Sequence, residues 1–418
     1  MRAIDHAIPE RMSARTPDWD RVHVAGAMLG IALQPISTAT GNIGLVIALA
    51  CAAPSWRRLA AGGAQLWDRP WVRGLAAWVA WSWCSLLWSS DPWAGASQLK
   101  AVRVLTWIPV LWPLRRHWWL LVAALLTGTT LLQVLQAVQM RWGWPVADKF
   151  AQGSVWTSST QTGLWDAVSI SFWLMLAVLA GWRRALACLP MAVLSSTALV
   201  WSATRASVIA VAVELVVANA VLAWTSRTWL RRALLRCVMG AVILAGVSTF
   251  AKSQLQAKVS QAIREVRETI DAPTEVTTEY RIAMWRMAVQ GWTQRPLLGV
   301  GVGGIQRSIS AETPIRSPEH DLTKVGMVHS TYVQALAETG LVGACLLIGW
   351  IVVMMREALQ RVAEQPIRIT AFGATLLWLI AAAFDGYQQS GGFLTVGAIT
   401  ATLACMPQAA DPAPTQRS

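Results

Sequence analysis

Residues 324–354 read KVGMVHSTYVQALAETGLVGACLLIGWIVVM. A polar segment ends at Val328, His329 and Ser330 follow, and an apolar run begins at once. The run, 330–354, has the ~17–25 residues that an α-helix needs to cross a hydrocarbon core of ~30 Å. The segment leading into it, 251–328, is the only long polar one between hydrophobic blocks. The blocks before it, and two more after it, read as membrane spans. Water-soluble chemistry in such a chain belongs where a loop of this kind meets the bilayer. The charges of 251–328 and His329 are therefore the first candidates for function.

Composition agrees with this reading. Of 418 residues, 55% are hydrophobic and only 14% charged, where a soluble domain carries about a quarter charged residues. The net charge of +13 does not call for a nucleic-acid partner, because much of it lies in short loops beside apolar runs. The six cysteines (Cys51, Cys84, Cys188, Cys237, Cys345 and Cys405) fall in or at the edge of such runs with no close-spaced pair. That pattern suggests neither a disulfide framework nor a metal site. Tryptophan is abundant at 26 residues. Trp88, Trp93, Trp118, Trp119, Trp142, Trp144 and Trp182 sit at the ends of runs, where an amphipathic ring suits the headgroup region. The polar N-terminus through Arg21 carries no pattern of a cleavable signal peptide.

The spacing predicts an all-α integral membrane protein of about 12 transmembrane helices. The spans are 22–37, 41–56, 71–89, 100–114, 117–139, 163–181, 184–202, 206–224, 230–250, 330–354, 367–384 and 390–406. Arginines then gather on one side: Arg57, Arg58 and Arg69; Arg115 and Arg116; Arg183 and Arg184; Arg227, Arg231 and Arg232; Arg356, Arg361 and Arg368. The positive-inside rule makes that side cytoplasmic. The expected organisation is spans one to nine over 1–250, a periplasmic helical loop over 251–329, spans ten to twelve over 330–406, and a disordered cytoplasmic tail over 407–418. Inside the loop, 252–270 has the stripe Leu255, Val259, Ile263, Val266 and Ile270 of an amphipathic helix. A second helix is expected over 279–294. The glycines of 299–304 follow no strand, so they read as a tight, closely packed turn rather than a dinucleotide fingerprint.

Of the five histidines, only His320 and His329 face outward in this topology. His329 stands at the start of a helix at the membrane boundary. It is either a solvent-facing polar residue or a group that accepts a proton near neutral pH. Arg281 shares a helix face with Trp285, Ala288 and Trp292. A guanidinium on an inward face needs an anion, either a protein carboxylate or a ligand phosphate. Arg205, in the turn Trp201–Ser207, either snorkels to headgroups or holds a phosphate by paired hydrogen bonds. Lys100 and Arg103, one turn apart, could enlarge an anion site. Glu338 lies nine residues past His329, on the opposite helix face and ~13 Å further along, so it reads as a structural or gating contact. No metal-ligand spacing is present.

The run from His329 through Glu338 and Gly340 to Gly343 resembles the His-Asn-x-x-Leu-x-x-x-x-Glu-x-Gly-x-x-Gly signature of the O-antigen ligase and polymerase superfamily. Ser330 stands where that signature has Asn, and Val333 where it has Leu. Tyr280-Arg281-Ile-Ala-Met-Trp285, Pro296-Leu-Leu-Gly-Val-Gly301, the Ser/Thr-Arg205-Ala turn and the Asp91-Pro92 end of the third span are similar to its other motifs. The resemblance implies a glycosyltransferase-C-like membrane fold in a bacterial inner membrane with a periplasmic active site and no cofactor. It implies transfer of a glycan from undecaprenyl diphosphate to a lipid A-core hydroxyl. His329 would be the base and Arg205 and Arg281 catalytic cations; Lys100 and Arg103 remain, from their place alone, candidates for further substrate contacts. Alternatives are an O-antigen polymerase, a protein O-oligosaccharyltransferase, and a secondary transporter of an organic anion.

Overall fold

A computed structural model describes residues 19–142, 159–179, 182–202, 204–225, 227–250, 260, 280–305, 328–384 and 391–407. These residues are nearly all helical, with no strand among them. Five helical stretches are by themselves long and apolar enough to cross a membrane: Thr38–Trp67, Pro92–Trp142, Ala185–Ser202, Arg205–Trp224 and Thr331–Glu364. The sequence reading expects about 12 spans. Several helices in the expected positions have only 13 to 15 residues, short of what a straight crossing needs.

Helices α1 (Trp19–Leu33) and α2 (Thr38–Ala52) form a hairpin. Ser37 and Thr40 close its turn, each side chain bonded to the other's amide. The expected short arginine loop after α2 is instead a helix, α3 (Trp56–Trp67). Leu59, Gly62, Gly63 and Leu66 keep a helical period on its inner side, while Arg57 and Arg58 are exposed. Helix α4 (Pro70–Cys84) follows. The expected outer loop 89–99 also contains a helix, α5 (Pro92–Leu99), capped by Asp91, whose carboxylate accepts the Ala94 amide at 2.9 Å. The fourth span is not a regular helix. It passes from a 3₁₀ stretch (Lys100–Thr106) through α6 (Trp107–Leu111) to another (Trp112–His117). Pro109 and Pro113 lack the amides that a continuous α-helix would use.

Then come α7 (Trp118–Trp142), α8 (Ser159–Leu179), α9 (Trp182–Ser202), α10 (Arg205–Thr225) and α11 (Arg227–Phe250). The expected second loop helix is present as α12 (Tyr280–Gln294), and α13 (Thr331–Glu364), α14 (Ile369–Ala381) and α15 (Gly391–Cys405) are the last helices among the described residues. The amphipathic helix expected over 252–270, residue 320 and the tail beyond 407 lie outside the described residues, apart from Ser260.

Polar contacts fix how the helices run. Thr129 bonds Ser169 and Gln136 bonds Asp166, so α7 and α8 are antiparallel. Gly163 abuts Thr204, and Ser171 bonds Glu214 at 3.0 Å, so α8 and α10 run side by side in one direction. Glu214 also pairs with Arg236 of α11 at 2.7 Å, both fully buried. An isolated charge in that interior would be costly, so each makes the other tolerable. At one end, Trp118 and Arg368 donate to the same Leu403 carbonyl. Arg69 meets Glu357 there, near the end of α13. This is the arginine-rich end. Helix α14 starts at it and runs to the opposite end, where α10 begins.

The tryptophans divide into two groups. Trp93 and Trp142 are exposed, as interface anchors are. Trp71, Trp107, Trp112, Trp165 and Trp378 are fully buried and build the core. Trp118, read as an anchor, is also buried, because its ring N–H reaches the Leu403 carbonyl.

Candidate functional site

Helix α13 breaks at Gly340, whose backbone (φ 66°, ψ −169°) is not helical. An unbroken helix would bond the Leu341 amide to Ala337, Val342 to Glu338 and Gly343 to Thr339. The break leaves these groups in need of partners. The turn after α12 supplies most of them. The Leu341 and Val342 amides donate to Pro296 (2.9 Å) and Leu297 (3.3 Å), while the Val300 and Gly301 amides donate to Ala337 (3.0 Å) and Glu338 (2.8 Å). The Thr339 carbonyl accepts the ring N–H of Trp81 at 3.0 Å.

The glycine run is thus the tight, closely packed turn that the sequence suggests. A Cβ on Gly340 would collide with the Leu297 carbonyl, and one on Gly299 with the backbone of Glu338 and Gly340. On its other side the turn is held by Ser85, which accepts the Val302 amide (3.1 Å), and Ser89, which donates to the Val302 carbonyl (2.7 Å). Glu338 is buried. Its carboxylate accepts the Gly303 amide at 3.0 Å and the Gln334 side chain at 3.2 Å. These bonds tie the glycine turn to α13, a contact of the structural or gating kind expected of Glu338.

His329 precedes this helix in a left-handed backbone conformation (φ 50°), the only non-glycine residue with positive φ among those described. Such a conformation costs on the order of 1–3 kcal/mol and persists when the surroundings impose it. Here they do so from both sides. The Val328 carbonyl accepts the ring N–H of Trp285 from α12 at 2.9 Å. Buried Ser330 caps α13, its hydroxyl accepting the Val333 amide, and the Thr331 amide donates to Ala382 at the end of α14 (2.9 Å). A small second core of Ala288, Ile305, Val328 and Ala337 packs beneath. The His329 side chain itself is half-buried.

His329, the first turn of α12 and the start of α10 lie toward this end of the bundle. Arg281 occupies the first turn of α12, one turn before Trp285 and on the same face; its side chain is outside what the structure describes. Arg205 is exposed at the first position of α10, at the end where α14 delivers Ala382 to Thr331. Lys100 and Arg103 are both exposed, one turn apart in the Lys100–Thr106 stretch. Arg103 donates to the Lys100 carbonyl (3.3 Å) and to Asn42 of α2 (3.4 Å). Sequence reading missed Trp285 as the strut behind His329, and Ser85 and Ser89 as the anchors of the turn. For Trp285 a signal existed, since it repeats the register of Arg281 on the buried face.

A family model described as O-antigen ligase matches residues 190–348. The matched stretch runs from α9 past the break in α13, and so takes in Arg205, Arg281, the glycine turn and His329. It is consistent with a member of the O-antigen ligase and polymerase superfamily, and supports a glycosyl-transferring function of that general kind. No match was found among curated proteins.

Proposed function

Proceeding from that superfamily match, we propose that the protein is an O-antigen ligase of a bacterial inner membrane, acting on its periplasmic side. It moves a glycan from undecaprenyl diphosphate to a sugar hydroxyl of lipid A-core. The observation that carries this reading is the imposed left-handed backbone of His329, at the bundle end shared with Arg205 and the first turn of α12.

The chemistry follows from those residue types. The acceptor oxygen attacks the anomeric carbon while the bond from that carbon to the diphosphate oxygen breaks. Its proton passes to the imidazole of His329, and the bonding electrons leave with the polyprenyl diphosphate. One displacement inverts the anomeric centre. Negative charge on the leaving diphosphate grows in the transition state, so guanidiniums already in place at Arg205 and Arg281 favour that state over the bound donor. Lys100 and Arg103 enter as accessory cations toward the donor. Two membrane-anchored substrates held in one site gain further from orientation alone.

The test is transfer in detergent from a polyprenyl-diphosphate glycan to lipid A-core, with wild type and His329→Ala. Transfer by wild type alone supports the ligase and the base together. Extension of the donor-linked glycan, with none on lipid A-core, assigns the protein as a polymerase. Glycan on an added protein acceptor assigns an oligosaccharyltransferase, and product formed in detergent, without any gradient, excludes a transporter.

A further inference from the structure

An open cavity of about 320 Å³ lies between α3, α4 and the 105–109 stretch. Gly63, Leu66 and Trp67 line it from α3, Val72 and Ala76 from α4, and Leu105 from the 105–109 stretch. The lining is almost wholly apolar. The cavity lies toward the arginine-rich end, away from His329, since α4 starts where Arg69 meets Glu357.

Two observations say what covers it. The first is Gly63. Glycine in a helix interior is less favourable than any other residue but proline, so its use there needs a reason. Its neighbour Gly62 has one, because a Cβ there would press on the Pro113 ring. A Cβ on Gly63 would meet no protein atom within 4 Å. Its smallness serves no protein neighbour; it widens the cavity. The second is charge. Arg73 is exposed on α4 one turn before Ala76, and Arg57 and Arg116 are exposed on neighbouring segments. Among the described residues none of the three has a carboxylate within ion-pair distance. Asp68, in the α3–α4 turn, is exposed and makes no such pair either.

We propose that this cavity is a binding site for an anionic phospholipid, one acyl chain filling the apolar space and the headgroup phosphate resting against Arg73. An acyl chain suits an open, carbon-lined space between apolar helices, where the hydrocarbon of a bilayer is the solvent. Guanidinium meets phosphate with paired, charge-assisted hydrogen bonds. The site stands apart from the proposed reaction, so its test does not depend on it.

The experiment measures phospholipids retained by the full-length protein in detergent, by native mass spectrometry, with chain-matched phosphatidylglycerol and phosphatidylcholine as probes. Wild type is expected to retain phosphatidylglycerol at least tenfold better. Arg73→Gln should lose that preference while still taking up either lipid. Gly63→Leu, which fills the open space and improves the helix, should lose retention of both with thermal stability equal to or above that of wild type. Equal retention of the two lipids by wild type would overturn the proposal. So would Gly63→Leu binding phosphatidylglycerol as wild type does, and an unaltered preference in Arg73→Gln would remove the headgroup assignment.

Discussion

The Leu341 amide donates to the Pro296 carbonyl at 2.9 Å, in place of the Ala337 carbonyl that an intact helix would offer it. That exchange makes the turn after α12 an integral part of α13. What moves the turn moves the helix that begins just after His329, and α12 with it.

Gly340→Ala tests this splice. A side chain at φ 66°, ψ −169° is strained, and its Cβ would strike the Leu297 carbonyl. We expect a loss on the order of 1–3 kcal/mol or more, read as a lower melting temperature in detergent, with transfer lost in parallel.

His329 separates chemistry from strain. His329→Ala should keep the fold and abolish transfer. His329→Gly should be equally inactive yet more stable than the alanine variant by roughly 1 kcal/mol, because glycine accepts a positive φ freely. Near-normal transfer by either variant would remove His329 from the base role.

Trp285→Phe keeps a six-membered aromatic ring but deletes the pyrrole part of the indole, and with it the N–H that holds the Val328 carbonyl. The bond is worth about 1 kcal/mol in stability. The larger effect should be on turnover, since a small misplacement of a reacting group can cost on the order of 100-fold. A fall in kcat with KM little changed is the expected split; a rise in KM alone would make Trp285 a binding contact instead.

Arginine and lysine should not be equivalent at the cationic positions. Arg281→Lys and Arg205→Lys keep charge but lose the planar fork that matches a phosphate. Each should lower kcat/KM by tenfold or more in the transfer assay. Full activity in either would argue against paired contacts at that residue.

The Glu214–Arg236 pair, buried among α8, α10 and α11, predicts a strong non-additivity. Arg236→Met alone leaves a buried carboxylate without its partner, at a cost of about 3–5 kcal/mol. Adding Glu214→Leu should recover most of that loss. A double variant as unstable as the sum of the singles would mean the pair is not energetically coupled.

The sequence by itself determined that the chain is helical, with several helices apolar enough for a membrane, and that a polar segment gives way to an apolar helix just after His329. Long apolar runs and their flanking arginines carry that information locally. It also marked 299–304 as a tight turn, and α12 within a few residues, because glycine, proline and helical periodicity are local signals. It missed α3 and α5, where short helices sit at charged or turn-rich positions. It also treated the fourth span as regular despite Pro109 and Pro113. Only the tertiary structure decided that α13 is broken at Gly340 and repaired by Pro296 to Gly301, and that Trp285 and Ala382 hold His329 in its left-handed turn. Those partners lie tens of residues apart. A hydrogen bond between segments leaves no periodic trace in either one; it exists because packing brings a carbonyl that has lost its helix partner to an amide that needs one.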